Sequence, residues 1–325
     1  APVGAGVRMR RTLIPVAIGV LTAAAALLFA VLTGSSGIGW PETDTAWRIA
    51  LELRLPRAIA ALVTGGLLAL AGVLMQVLLR NPLADPYILG LSGGAAAFVL
   101  GGMSLGLVAV LPTELLAFAG ALFSMLVVFV LGRGEGPWST TRLLLTGVVV
   151  AAGWGAVISL LLALGADASL KGMLYWLMGD LGYSALSPWW LVALVGLTGA
   201  LMLRARSLNV LAAGETQAAL LGESPKRRHA EIYVAASLLT ALAVAIAGTV
   251  GFVGLIVPHL VRLTVGADHR RLLPLSALAG GVFLLLADTL ARTVIAPRQL
   301  PVGVLTALLG VPLFLLLLRR AGGLR

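Results

Sequence analysis

Long apolar runs, interrupted by short clusters of turn-forming and charged residues, set the pattern of this chain. Leu13 to Leu32 holds no charge, and about 20 apolar residues in a helix cross a bilayer core about 30 Å thick. Three arginines, Arg8, Arg10 and Arg11, precede this run as they would in a secretory signal. The run is longer than a signal core and no small-residue cleavage pattern follows, so it reads as a first span. Applied along the chain, apolar length and turn residues predict ten spans: about 13 to 32, 58 to 79, 87 to 111, 115 to 131, 143 to 164, 188 to 203, 232 to 250, 251 to 265, 272 to 294 and 300 to 318. Between the seventh and eighth, Gly248, Gly251 and Gly254 read as a tight turn or a helix break.

The spans carry small residues at helical spacing: Gly147, Ala151 and Gly155 on one, Gly65, Gly66, Ala69 and Gly72 on another. Such positions let helix backbones approach closely, which predicts a compact bundle. No Pro-rich linker, low-complexity tract or soluble domain interrupts it. The expectation is an all-α integral membrane protein, one transmembrane domain over residues 1–325 with about ten helices.

Composition agrees: 60% of residues are hydrophobic and 11% charged, against about 25% charged in an average soluble domain. Mean hydropathy is +1.05. The net charge of +10 points to topology rather than to nucleic acid, because cytoplasmic loops of membrane proteins collect Lys and Arg. With the N-terminus inside, 17 of the 23 basic residues fall in inside segments, so both termini are expected in the cytoplasm. Arg48, Arg54, Arg57, Lys171, Arg292 and Arg298 then lie outside or near the outer ends.

Candidate chemistry is sparse. There is no cysteine, which excludes disulfides and thiolate sites. The phosphate-binding GxxxxGK[ST] loop is absent, as are HExxH and GxSxG. No catalytic residue and no metal site is expected, since His259, His229 and His269 lack ligand spacing. Uphill transport would need either an ion gradient or ATP hydrolysed by another subunit. Asp288 is the clearest intramembrane acid and the candidate of an ion-gradient-driven secondary carrier. Arg292, four residues later on the same face, instead suits a structural ion pair.

One charged island, Arg204 to Glu231, stands apart. Leu208, Leu211 and Ala212 form an apolar stripe before Gly214, and Ala218, Ala219 and Leu221 another before Gly222. Glycines just past the last periodic residue stop helices. Ser224 and Pro225 suit the N-cap and first turn of the next span. Two short helices follow, at about 207–223, with half-apolar faces suited to docking another protein. Lys226 to Arg228 read as topology signals.

Eight segments in order resemble the iron-chelate and cobalamin permeases, the membrane subunits of type II ABC importers such as those for vitamin B12 and haem. They are RLPR (Arg54 to Arg57), NPLADP (Asn81 to Pro86), STTRLLLTG (Ser139 to Gly147), YWLMGDLG (Tyr175 to Gly182), LNVLAAGE (Leu208 to Glu215), GFVGLIVPHLVRL (Gly251 to Leu263), LLLADTLAR (Leu284 to Arg292) and LPVGVLTALLGVP (Leu300 to Pro312). The resemblance implies the type II importer permease fold, a homodimer in a bacterial inner membrane, and import of a bulky metal chelate: haem, a ferric siderophore or cobalamin. It implies two cytoplasmic ATPase subunits, which hold the ATP and magnesium while this chain binds no cofactor, and a periplasmic binding protein. Carried over residue by residue, Ala213, Gly214, Glu215 and Gly222 would meet the ATPase. Asn81, Leu83, Thr140 and Thr141 would form the cytoplasmic gate. Arg54, Arg57 and Arg292 would dock the binding protein, as guanidinium forks suit carboxylates.

Overall fold

The computed structural model describes residues 3–34, 37–133, 139–182 and 188–322; the outermost ends of the expected 1–325 domain lie outside them. Helix α1 (Val3–Leu32) leads into a two-residue hairpin, β1 (Thr33–Gly34) and β2 (Gly37–Ile38), with Thr33 opposite Ile38. Helix α2 (Asp44–Arg48) is capped by the Thr43 hydroxyl, which accepts from the Ala46 amide. A π-helical stretch (Ile49–Arg54) carries it into α3 (Leu55–Leu78), with Pro56 in the first turn of α3. Proline fits there because the first-turn amides have no partner inside the helix.

Every side chain of α3 from Arg57 to Leu78 is buried. Around this central post pack α1, α11 (Pro225–Ala247), α12 (Val253–Val265) and α13 (His269–Thr293). Two crossings explain how the backbones come so close. A Cβ on Gly65 would collide with the Gly280 carbonyl, and one on Gly72 with the backbone of Gly254. In a bilayer such close packing replaces the hydrophobic effect as the source of helix association.

A second layer comprises α4 (Leu91–Ser104), α5 (Thr113–Arg133) and α6 (Thr140–Leu164). Ser124 of α5 donates to the Gly90 carbonyl at 2.8 Å and accepts from the Trp154 indole of α6 at 2.9 Å. Phe98, Phe123 and Trp154 form an aromatic cluster with centroids 5.6–6.5 Å apart. Beyond α6 come α7 (Asp167–Leu177), α8 (Trp189–Met202), α9 (Ala205–Ala213) and α10 (Glu215–Leu220), and α14 (Val302–Gly322) ends the chain.

The expectation of about ten transmembrane helices is corrected. Among the described residues six helices are long and apolar enough to cross a membrane, or seven if α8 and α9, bent by 53°, count as one span. The expected spans at 87 to 111 and 251 to 265 appear as apolar helices of 14 and 13 residues, roughly 20 Å long at 1.5 Å per residue, and that at 300 to 318 as the apolar stretch Val302–Leu317 of the 21-residue α14. Backbone geometry shortens the first two. Gly90 at φ 72° delays the start of α4, and Gly106 at φ 71° follows its end. Gly248 at φ 66° and Phe252 at φ 70° separate α11 from α12. A hydropathy window counts the apolar residues before Gly90 and around Gly106 in one run with α4.

Apolar surface remains uncovered on α6 and α8. On α6 only Leu143 and Gly147 are buried, while Val149, Leu160 and Leu164 face outward, as do Trp189 and Val195 of α8. Of the small-residue stripe on α6, Gly147 packs against Ile88 and Leu89, whereas Gly155 meets open space.

Candidate functional site

Polar side chains gather at the two ends of α3, which stand roughly 36 Å apart along its axis. At one end lies the charged island. Helix α9 buries Leu208 and Leu211, and α10 buries Ala218. Gly214 at φ 133° makes the corner between them, and Gly222 at φ 80° ends the second. Both angles favour glycine because a Cβ would clash there. Ala212, Ala219 and Leu221, expected on the apolar stripes, are exposed instead. Leu220 is 83% exposed and Leu221 70%, so the pair forms an apolar tip facing away from the bundle. Ala213, Glu215 and Gly222 are exposed and Gly214 is half-buried.

This platform is tied down by polar bonds. The Ser207 hydroxyl of α9 donates to Glu223 at 2.6 Å, and Arg228 of α11 holds the other Glu223 oxygen at 2.7 Å. Arg228 also reaches Glu231 at 2.6 Å. The Ser207 hydroxyl first, then the Arg228 guanidinium, hold the Glu223 carboxyl below the usual range. Asn209 donates to Asp268 at 2.8 Å and accepts from the His269 backbone amide at 2.9 Å. Arg228 thus does more than bias topology; its signal was the acid three residues on, at Glu231. Ser224 stands at the N-cap position of α11, but its side chain makes no capping bond.

Beside the platform runs the loop from α3 to α4. The Asn81 carboxamide accepts from the Leu83 amide at 2.9 Å, and Asp85 accepts from the Tyr87 amide at 2.7 Å. The first is a side-chain turn, and the second caps a single 3-10 turn at Pro86–Leu89. Arg80, at φ 47°, forms an ion pair with Glu215 of α10 at 2.9 Å. Thr140 and Thr141 open α6, behind the Ser139 hydroxyl that accepts from the Arg142 amide at 3.3 Å. Among the described residues no hydrogen bond joins them to Asn81 or Leu83. The two segments are held near each other where Gly147 meets Ile88 and Leu89.

At the opposite end of α3, Asp288 is fully buried between two arginines. Arg57 reaches it from Nε at 3.0 Å and Nη2 at 2.8 Å, and Arg292 from Nε at 3.2 Å. Arg57 Nη1 continues to Gln299 at 2.7 Å, and Arg292 Nη2 to the Ala30 carbonyl at 3.2 Å. Arg54 donates to the Val31 carbonyl at 3.1 Å. Of the three arginines assigned to docking, Arg54 is half-buried while Arg57 and Arg292 are buried and turned onto Asp288. The spacing of Asp288 and Arg292 announced their pair. Arg57, 231 residues away in sequence, could be joined to them only by the fold. Gln299 also lines an open chamber of about 800 Å³ with Lys171, Tyr175, Asp180 and Glu114.

The FecCD transport family matches residues 7–320. The cobalamin import system permease of Halobacterium salinarum is 43% identical over 324 residues, covering 98% of this chain and 85% of the relative. The hemin transport system permease of Yersinia pestis is 42% identical over 291 residues, 85% of each chain. A solved structure described as an inward-facing conformation of a metal-chelate type ABC transporter superposes with a TM-score of 0.83 at 30% identity, covering 94% of this chain and 98% of that one.

Proposed function

The chain belongs to the FecCD transport family, and from that premise we infer that it is the transmembrane permease subunit of an ABC importer for a metal chelate such as haem, a ferric siderophore or cobalamin. The family match over residues 7–320 carries this reading. ATP hydrolysis belongs to a separate subunit, since no phosphate-binding loop is present. The ion-gradient carrier using Asp288 is set aside, because both carboxylate oxygens are engaged by Arg57 and Arg292.

In the finer reading, two copies form a homodimer in the inner membrane with both termini cytoplasmic. The uncovered apolar faces of α6 and α8 are supplied to lipid and to the second copy. Two ATPase subunits, carrying ATP and magnesium, seat on α9 and α10 through Ala213, Gly214, Glu215 and Gly222. A periplasmic binding protein delivers the chelate at the opposite end. There Arg54, Arg57 and Arg292 outnumber Asp288, and this surplus of positive charge suits carboxylates on the partner. Asn81, Leu83, Thr140 and Thr141 line the cytoplasmic gate, where short side chains close a path without binding the solute tightly. Alternating access follows as a bistable rearrangement of the dimer driven from the platform.

The exposed tip supports the seat most directly. Replacing Leu220 and Leu221 with glutamate should abolish co-purification of the ATPase subunit while leaving the permease folded and monodisperse. Undiminished co-purification would remove α10 from the interface. Arg54→Glu should weaken capture of the binding protein at low salt; unchanged affinity would exclude Arg54 from docking.

A further inference from the structure

We propose that the Arg80–Glu215 ion pair is the link through which the α9–α10 platform moves the gate loop. Resting on the reading of the platform as ATPase seat and of residues 81–83 as gate, it names the pair of side chains that joins them.

Three observations converge. Glu215 is the first residue of α10, directly after the Gly214 corner, so its carboxylate follows any rotation of the platform. Arg80 directly precedes Asn81, and its guanidinium meets that carboxylate at 2.9 Å. Arg80 also holds its backbone at φ 47°, a left-handed conformation that a long side chain rarely adopts. Such strain persists only where surrounding contacts over-determine it.

Stability does not explain the pair. Its side chains are 43% and 51% exposed, and ion pairs at that exposure add little to folding. The surrounding anchors are of another kind: Glu223 with Ser207 and Arg228, and Asn209 with Asp268 and His269, tie the platform to α11 and to the start of α13. Among the described residues, Arg80–Glu215 is the polar contact that runs from the platform to the gate loop. His229 Nε2 lies 4.0 Å from the same Glu215 oxygen that Arg80 meets. The asymmetry is mechanical. Asn81 closes its turn on Leu83, so a displacement of Arg80 carries the 81–83 turn with it as one unit.

The absence of cysteine supplies a clean background for the test. Leu83→Cys is introduced into the full transporter, assembled with its ATPase, and its labelling by a membrane-impermeant maleimide is followed with and without ATP plus vanadate. In the otherwise native chain the labelling rate should depend on nucleotide. Arg80→Glu alone should bring the ratio of the two rates to unity while ATP hydrolysis continues, and Glu215→Arg alone should bring it to unity as well. The charge-swapped double variant should restore the nucleotide dependence, a coupling that independent sites would not show. A native ratio in either single variant, or no recovery in a swap that still co-purifies with its ATPase, would overturn the link and leave the proposed function standing. No nucleotide dependence in the native background would instead refute the assigned gate, and the link with it.

Discussion

Asp288 concentrates the electrostatics of the chain in one residue. Its two oxygens hold guanidiniums from α3 and α13, and these continue to Ala30 and Gln299. Removing the carboxylate would leave two buried positive charges facing each other, which costs about 3–5 kcal/mol when one partner of a buried pair is lost. Asp288→Ala should therefore unfold at markedly lower temperature in detergent, while Asp288→Glu should recover part of the loss. A variant as stable as the native chain would mean that the arginines find other partners. Half of this cluster was legible in the sequence, since Asp288 and Arg292 lie one helical turn apart. The other half was not: RLPR looks like an exposed helix start until α3 and α13 pack through Gly65 and Gly280 and bring Arg57 inward. Spacing along a chain reports only local neighbours.

The elements divide along the same line. The two island helices could be read because glycine stops at Gly214 and Gly222 coincide with left-handed backbone that only the local sequence dictates. The number of spans could not, because the break at Gly90 lies inside a stretch apolar on both sides, whereas the break at Gly248 to Phe252 was announced by its glycines. Between α9 and α11 the clamp on Glu223 makes a testable element. Its carboxyl is held below the ordinary value of 4.5 by Ser207 and Arg228, so the clamp is stabilising above that value and is lost as pH falls through the lowered one. Glu223→Gln should accordingly melt below the native chain at pH 7, and the gap should narrow in acid. A gap that stays constant with pH would show that the charge of Glu223 is not what holds α9 to α11.

At the scale of the whole molecule, the order of eight motifs along the chain carried more information than any one of them. It anticipated the family. The identity of the chelate left no such mark, because a wide path lined by weakly interacting groups needs no distinctive ligand cluster. The proposed function places the motor on a separate subunit, and the exposed apolar tip on α10 supports that reading. The direct measurement is uptake of hemin and of cobalamin into liposomes holding this chain, with and without its ATPase subunit and binding protein. The account predicts that one of these chelates, or a ferric siderophore offered in parallel, accumulates only when the ATPase is present and ATP is hydrolysed. Accumulation by this chain alone, abolished by a protonophore and indifferent to ATP, would contradict it.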